Sequence, residues 1–203
     1  MNENDAYALA LELLALGRVF LLRVAYQSHL EQELVPYRVI SIEVSNQPLP
    51  RTLVNPTLGR SLTEMLLRLA RACARREWEQ ADVWAQAACA IKNLPAVYRG
   101  QINIEVADAV ARFYACAVCV GKNQSVPAAQ MLSECAEQLA FTMPDLSAPY
   151  WLAIARVHLR SGDTPNALWA LEKCAGLMPD CKKSVSGVLR PLLEASYAQV
   201  AMR

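Results

Sequence analysis

Residues 148–180 read APYWLAIARVHLRSGDTPNALWALEKCAGLMPD. Apolar residues recur there at three- and four-residue spacing in two short runs. The first ends at Gly162, and the second begins after Asp163-Thr164. Gly after a periodic run and a capping residue before the next are the stop and start signals of helices. Pro179 closes the second run, because proline cannot continue a helix. The stretch therefore predicts a helical hairpin whose two apolar faces pack together. Such a hairpin is a packing module rather than a catalytic one.

Working outward, the chain from Ser61 to its end is predicted to be helical. Expected helices span 62–75, 78–93, 100–120, 126–141, 148–161, 164–177 and 185–201. Ser61-Leu62-Thr63-Glu64 has the form of a capping box, with Ser61 as cap and Glu64 three residues on. Pro95, Pro144 and Pro179 follow every second helix, so the helices group as three hairpins over 61–180 with a C-terminal capping helix in 181–203. Stacked units of this kind bury their apolar faces on each other, and a terminal helix shields the last. Upstream, 1–34 carries a long helix pattern capped by Asn4 or Asp5, with Leu9, Leu13, Leu16, Phe20 and Val24 on one face. Gly17 within it marks a close helix crossing or a bend. Residues 35–60 break the pattern with Pro36, Pro48, Pro50 and Pro56. Tyr37–Val44 is rich in β-branched residues, so 36–56 is expected as an extended segment or a short β-hairpin. The whole is read as one helical-repeat domain, 1–203.

The hairpin at 148–180 resembles a tetratricopeptide unit. Trp151 stands at that family's first bulky position, Ile154 at the next apolar one, and Ala155 where two helices touch. His158 replaces the usual Tyr, Gly162 supplies the turn, Ala167 is the second small contact, Leu171 the second-helix core residue, Cys174 a small-residue substitute, and Pro179 the closing residue. Earlier hairpins are degenerate. Met65 replaces the expected Trp, Arg76 stands near the turn where Gly is usual, and the stretch from Pro95 to Pro144 exceeds the family period of about 34 residues. The fold class implied is all-α, a tetratricopeptide-like stack of helical hairpins. The resemblance implies partner binding on the concave face of the first helices. In the clear unit that face comprises Leu152, Arg156, Leu159 and Arg160, a mixture of apolar anchors and guanidinium forks suited to an acidic peptide or helix, unless a terminal helix covers it.

Composition agrees with a folded, uncharged scaffold. The 203 residues are 54% hydrophobic and only 19% charged, with a formal net charge of +1. Mean hydropathy is +0.15. That much apolar surface is either buried in the chain's own core or covered by a permanent partner, so a hetero-oligomer or a homodimer fits. No overall field draws the chain to nucleic acid or membrane. Glu12, Arg18 and Arg23 interrupt the apolar run near the start, which reads as a core helix and not a bilayer span. The start, MNENDAYA, lacks the positive charge of a secretory signal. Seven cysteines, an odd number, sit mostly among alanines and leucines, the pattern of free thiols in a reducing, cytoplasmic compartment.

Catalytic signatures are sparse. His29 and His158 are the two histidines. HExxH, GxSxG and a Gly-rich phosphate loop are all missing, so no enzyme and no cofactor are expected. His158 is read as a packing residue. Cys116-Ala-Val-Cys119 is a CxxC late in an apolar helix, with Cys135 able to approach from the next one. Two small core residues is the first reading, and a zinc or thiol-redox site is the alternative. Arg68, Arg71 and Arg75 form one stripe on a helix, near Arg60 and Arg76. The stripe is a solvated face, a site for an acidic protein partner, or a nucleic-acid contact. The last is weakened by the missing aromatic interleaving. Of the four tryptophans, Trp78, Trp84, Trp151 and Trp169, at least one is expected between hairpins, and an exposed one would be an anchor for a partner.

Overall fold

A computed structural model of the chain describes residues 1–31, 58–93 and 104–202, and every described element is helical. The expectation for 36–56 lies outside these residues. The helices are α1 (Glu3–Glu31), α2 (Leu58–Ala74), α3 (Trp78–Cys89) with a 3-10 turn at Ala90–Asn93, α4 (Ile104–Gly121), α5 (Ser125–Leu139), α6 (Pro144–Ser161), α7 (Thr164–Leu177) and α8 (Lys183–Ala201). The all-α stack expected from the hairpin pattern is observed.

Several starts differ from the sequence reading. Asn2, not Asn4 or Asp5, caps α1, its Oδ1 accepting the Asp5 N–H at 2.8 Å. Ser61 lies inside α2, because residues 58–60 are themselves helical and carry the start upstream of it. α6 begins at Pro144 instead of 148. Proline at a first helical position forfeits nothing, since that N–H has no intrahelical partner. The added turn is then held from outside: buried Ser147 donates its hydroxyl to the Ala136 carbonyl of α5 at 2.7 Å. The helix runs on through Pro149.

The chain divides into two compact units, Met1–Leu16 with Cys119–Arg203, and Gly17–Val118. The boundaries fall inside α1 and α4, both continuous helices, so no composition shift marks them.

In the first unit α6 is the central helix. It packs on α5, α7 and α8, and α7 also packs on α8. Its Tyr150, Trp151, Leu152, Ile154 and Ala155 are all buried. Ala167, Ala170, Leu171 and Cys174 meet it from α7, and Val185, Leu189 and Leu193 form the buried stripe of α8. Small residues at these positions let helix axes approach closely. At the base of α8, Asp145 accepts the Lys182 N–H at 2.7 Å, joining the start of α6 to that of α8.

In the second unit α2 packs on α3. Met65, Leu66, Leu69 and Cys73 are buried on α2, as are Ala81, Trp84, Ala85 and Ala88 on α3. Gly17 marks the close crossing that its position suggested. A Cβ there would lie 2.9 Å from Tyr114 Cε2 and 3.1 Å from Phe113 Cδ1 of α4.

One turn geometry recurs. Arg76, Asn123 and Gly162 have φ of 60°, 61° and 80°, the positive-φ residues among those described. Each follows a helix, and each donates its N–H to the carbonyl three residues back. The next residue in each case donates to the carbonyl five back: Glu77 to Ala72 and Gln124 to Cys119, both at 2.9 Å, and Asp163 to His158, also at 2.9 Å. This is the paired closure of a Schellman cap. The turns after α2, α4 and α6 are therefore equivalent, although Arg, Asn and Gly occupy them.

Candidate functional site

The expected partner face on α6 is filled from within the chain. Arg156 and Arg160, one turn apart, both point at Glu12 of α1. Arg156 Nη1 donates to Glu12 Oε2 at 2.8 Å, and Arg160 Nη2 donates to Oε1 at 2.7 Å. Arg160 also lies 4.0 Å from Asp5. Leu152 and Leu159 are 0% and 3% exposed, so neither offers apolar surface to an incoming chain. The covering helix is α1, which between Glu3 and Leu16 carries Glu3, Asp5 and Glu12 and no lysine or arginine. The expectation of an open surface at Leu152, Arg156, Leu159 and Arg160 is corrected accordingly: α1 supplies the carboxylates, and the two leucines belong to the core.

The arginine stripe is on the surface. Arg68, Arg71 and Arg75 are all exposed on α2. Arg68 lies over the Trp84 ring of α3, 5.0 Å from its centroid. That contact orients one end of the stripe, a cation–π arrangement worth about 0.5–1 kcal/mol at an exposed site. Arg71 and Arg75 make no ion pair among the described residues. Leu67, one turn before Arg71 on α2, is 42% exposed, and Val83 of α3 is 45% exposed. The surface thus combines guanidinium forks, which match carboxylates in paired hydrogen bonds, with aliphatic contact area.

A second feature was missed by the sequence reading. Ser125, Val126, Ala129, Gln130 and Ser133 of α5 face Val157, His158 and Ser161 of α6 and Asp163 and Asn166 beyond it, lining an open cleft of about 360 Å³. His158, expected in the core, is half-buried here. Its Nδ1 lies 3.1 Å from Asp163 Oδ2. Asp163 is also the cap of α7: Oδ1 accepts the Asn166 N–H at 3.3 Å, and Oδ2 accepts the Asn166 side-chain amide at 2.7 Å. The Asn166 side chain, with His158 adding to it, holds the Asp163 carboxyl below the usual carboxylate range. The carboxylate is thus spent on ending one helix and starting the next, and the His–Asp pair is a brace across the turn. Nothing local in the sequence pointed to the α5 wall, which arrives by packing.

The cysteines behave as small apolar residues. Burial pushes the Cys73 and Cys174 thiols up to about 12 and that of Cys181 to about 11, so each stays protonated near neutrality. Cys116 and Cys135 are buried, and Cys119 is half-buried. Among the described residues no group of three or more His, Cys, Asp or Glu is placed to hold a metal ion. Of the tryptophans, Trp84 and Trp151 are buried, whereas Trp169 of α7 is 41% exposed. Its ring meets that of Trp151 edge-on at 5.0 Å, and Lys173 lies 5.9 Å above it. Among the described residues no helix is long and apolar enough to cross a membrane.

The chain matches no family model, no curated protein and no solved structure.

Proposed function

We propose that the chain is a non-enzymatic interaction scaffold, an adaptor, assembly chaperone or obligate subunit, that engages an acidic protein segment through the α2 surface. The observation that carries this reading is the exposure of Arg71 and Arg75, without an ion pair among the described residues, on the same helix as exposed Leu67, one turn before Arg71. Aliphatic anchors flanked by guanidinium forks favour an amphipathic acidic helix or peptide, with carboxylates paired and an apolar face laid on Leu67. A nucleic acid is less well served. Trp84 is almost fully buried with Arg68 over its face, so it offers no platform on which a base could stack. The recurring Schellman turn supports a repeat of tetratricopeptide type, and the free thiols fit a reducing, cytoplasmic setting.

The test is a titration of the full chain with a fluorescent amphipathic peptide bearing glutamates at four-residue spacing, alongside a single-stranded RNA of equal charge. The reading expects peptide binding that weakens with salt and falls by about tenfold or more in the Arg71→Glu, Arg75→Glu variant, which corresponds to about 1.4 kcal/mol. Peptide affinity unchanged by the double substitution, or RNA bound in preference, would overturn it.

A further inference from the structure

We propose that α7 is a self-association surface on which a second copy of this chain docks antiparallel, each Trp169 lying on the Gly176 of the other. This inference is independent of the α2 surface, which belongs to the other compact unit.

The buried stripe of α7 packs inward, and its other side is uncovered. Trp169, Glu172 and Gly176 repeat there at three- and four-residue spacing, flanked by exposed Leu168 and Lys173. Trp169 is exposed and yet held. Its ring meets buried Trp151 edge-on at 5.0 Å, so the indole is fixed before any partner arrives. An ordered, half-exposed tryptophan is the side chain that most often anchors a protein contact. Gly176 has no comparable task within the chain. Glycine weakens a helix interior. The φ of Gly176 is not left-handed, and a Cβ there would meet nothing within 4 Å. Gly187 of α8 is as open, but Gly176 lies two turns from Trp169 on the same side of its helix. At that position glycine leaves a hollow where a flat ring from outside can reach the backbone.

The same face identifies its occupant. Glu172 and Lys173 are adjacent and opposite in charge, so a uniformly acidic helix is repelled by the first and a uniformly basic one by the second. A copy of α7 related by a two-fold axis offers both complements. With the axis between Glu172 and Lys173, each Glu172 faces the partner's Lys173. Trp169 and Gly176 then lie about 5 Å to either side of the axis, so each Trp169 faces the partner's Gly176. One register thus satisfies the ring, the hollow and both charges. A contact along one helix of 14 residues is at the small end of specific interfaces, so the dimer is weak and forms at about 10 µM chain or above.

The experiment is sedimentation velocity of the full chain from about 5 µM to about 500 µM, a range that brackets weak interfaces of this size. The chain is expected to pass from 22.4 kDa to twice that mass as its concentration rises. Gly176→Gln fills the hollow at a position with open space around it, so it should leave the fold intact and weaken the dimer by about tenfold or more. Glu172→Lys sets like charges against each other and should weaken it by about as much. Glu172→Lys combined with Lys173→Glu remakes both pairs with their signs exchanged and should restore the dimer. Circular dichroism checks that each variant is folded. A chain that stays monomeric at the highest concentration overturns the proposal. So does a dimer that persists in the folded Gly176→Gln chain, or one that the double charge exchange fails to restore, since either result places the contact on another face.

Discussion

Glu12 and Arg156 stand 144 residues apart in the sequence and 2.8 Å apart in space. With Arg160 on the other carboxylate oxygen, the pair ties α1 to the central helix of its unit. An isolated exposed pair contributes about 0–1 kcal/mol. Arg156 is 18% exposed and bonds the carboxylate directly, so a value near the upper end is expected. A double-mutant cycle on Glu12→Gln and Arg156→Met, read by urea unfolding at pH 7, should give a coupling of about 0.5–1.5 kcal/mol that shrinks in 1 M salt. A coupling of zero would make the contact incidental.

Gly17 fixes how closely α1 and α4 approach. A methyl group there meets the Tyr114 ring at 2.9 Å, and Tyr114 is itself buried. Gly17→Ala gains helix propensity of about 1 kcal/mol but must push aside two packed rings, at about 1–3 kcal/mol. The expected sign is net destabilisation by Gly17→Ala, and a larger one by Gly17→Val. Thermal or urea unfolding checks both, and a stabilised Gly17→Ala would mean that the crossing is looser than described.

Asp163 makes stability depend on pH in one direction. Its carboxyl is held below the ordinary value of 3.8, chiefly by Asn166, so the folded state favours the ionised form. The contribution is fully present above 3.8 and is lost as the pH falls through the lower folded value. Asp163→Ala should lower the melting temperature at pH 7, and the gap to the unmodified chain should narrow below about pH 4. A gap that stays constant down to pH 2 would assign the loss to something other than the carboxylate.

The fold was legible where apolar spacing and punctuation agreed, and less so where tertiary contacts overrode them. Trp151, Ala155, Ala167 and Leu171 fall in the core because a hairpin with that pattern has no other way to bury them. The Schellman turns at Arg76 and Asn123 were hidden because only Gly162 carries the residue that the conformation favours. The early start of α6 was hidden because it depends on Ser147 reaching Ala136 on another helix. The candidate site divided the same way. An arginine stripe is a local spacing and was visible, whereas the partner of Arg156 and Arg160 lay at the far end of the chain.

Asn123 tests the equivalence of the turns. Its φ of 61° lies in the left-handed region, which costs most residues about 1–2 kcal/mol and Asn less. Asn123→Gly should be neutral or stabilise by up to about 1 kcal/mol, and Asn123→Ala should destabilise by about 1 kcal/mol. The reverse order in urea unfolding would rule out the shared turn geometry.

The scaffold reading stands on the α2 surface, and site-specific photo-crosslinking reads that surface directly. A benzophenone side chain at Leu67 of the full chain, activated in an extract of the source cells, should label a protein at an acidic segment. The same probe at Glu79 should not. Labelling at Leu67 should drop by about tenfold when Arg71 and Arg75 are both Glu, as expected when a pair of guanidinium–carboxylate contacts is lost. Labelling that is unaffected by the reversal, equal at the two positions or confined to nucleic acid would contradict the account.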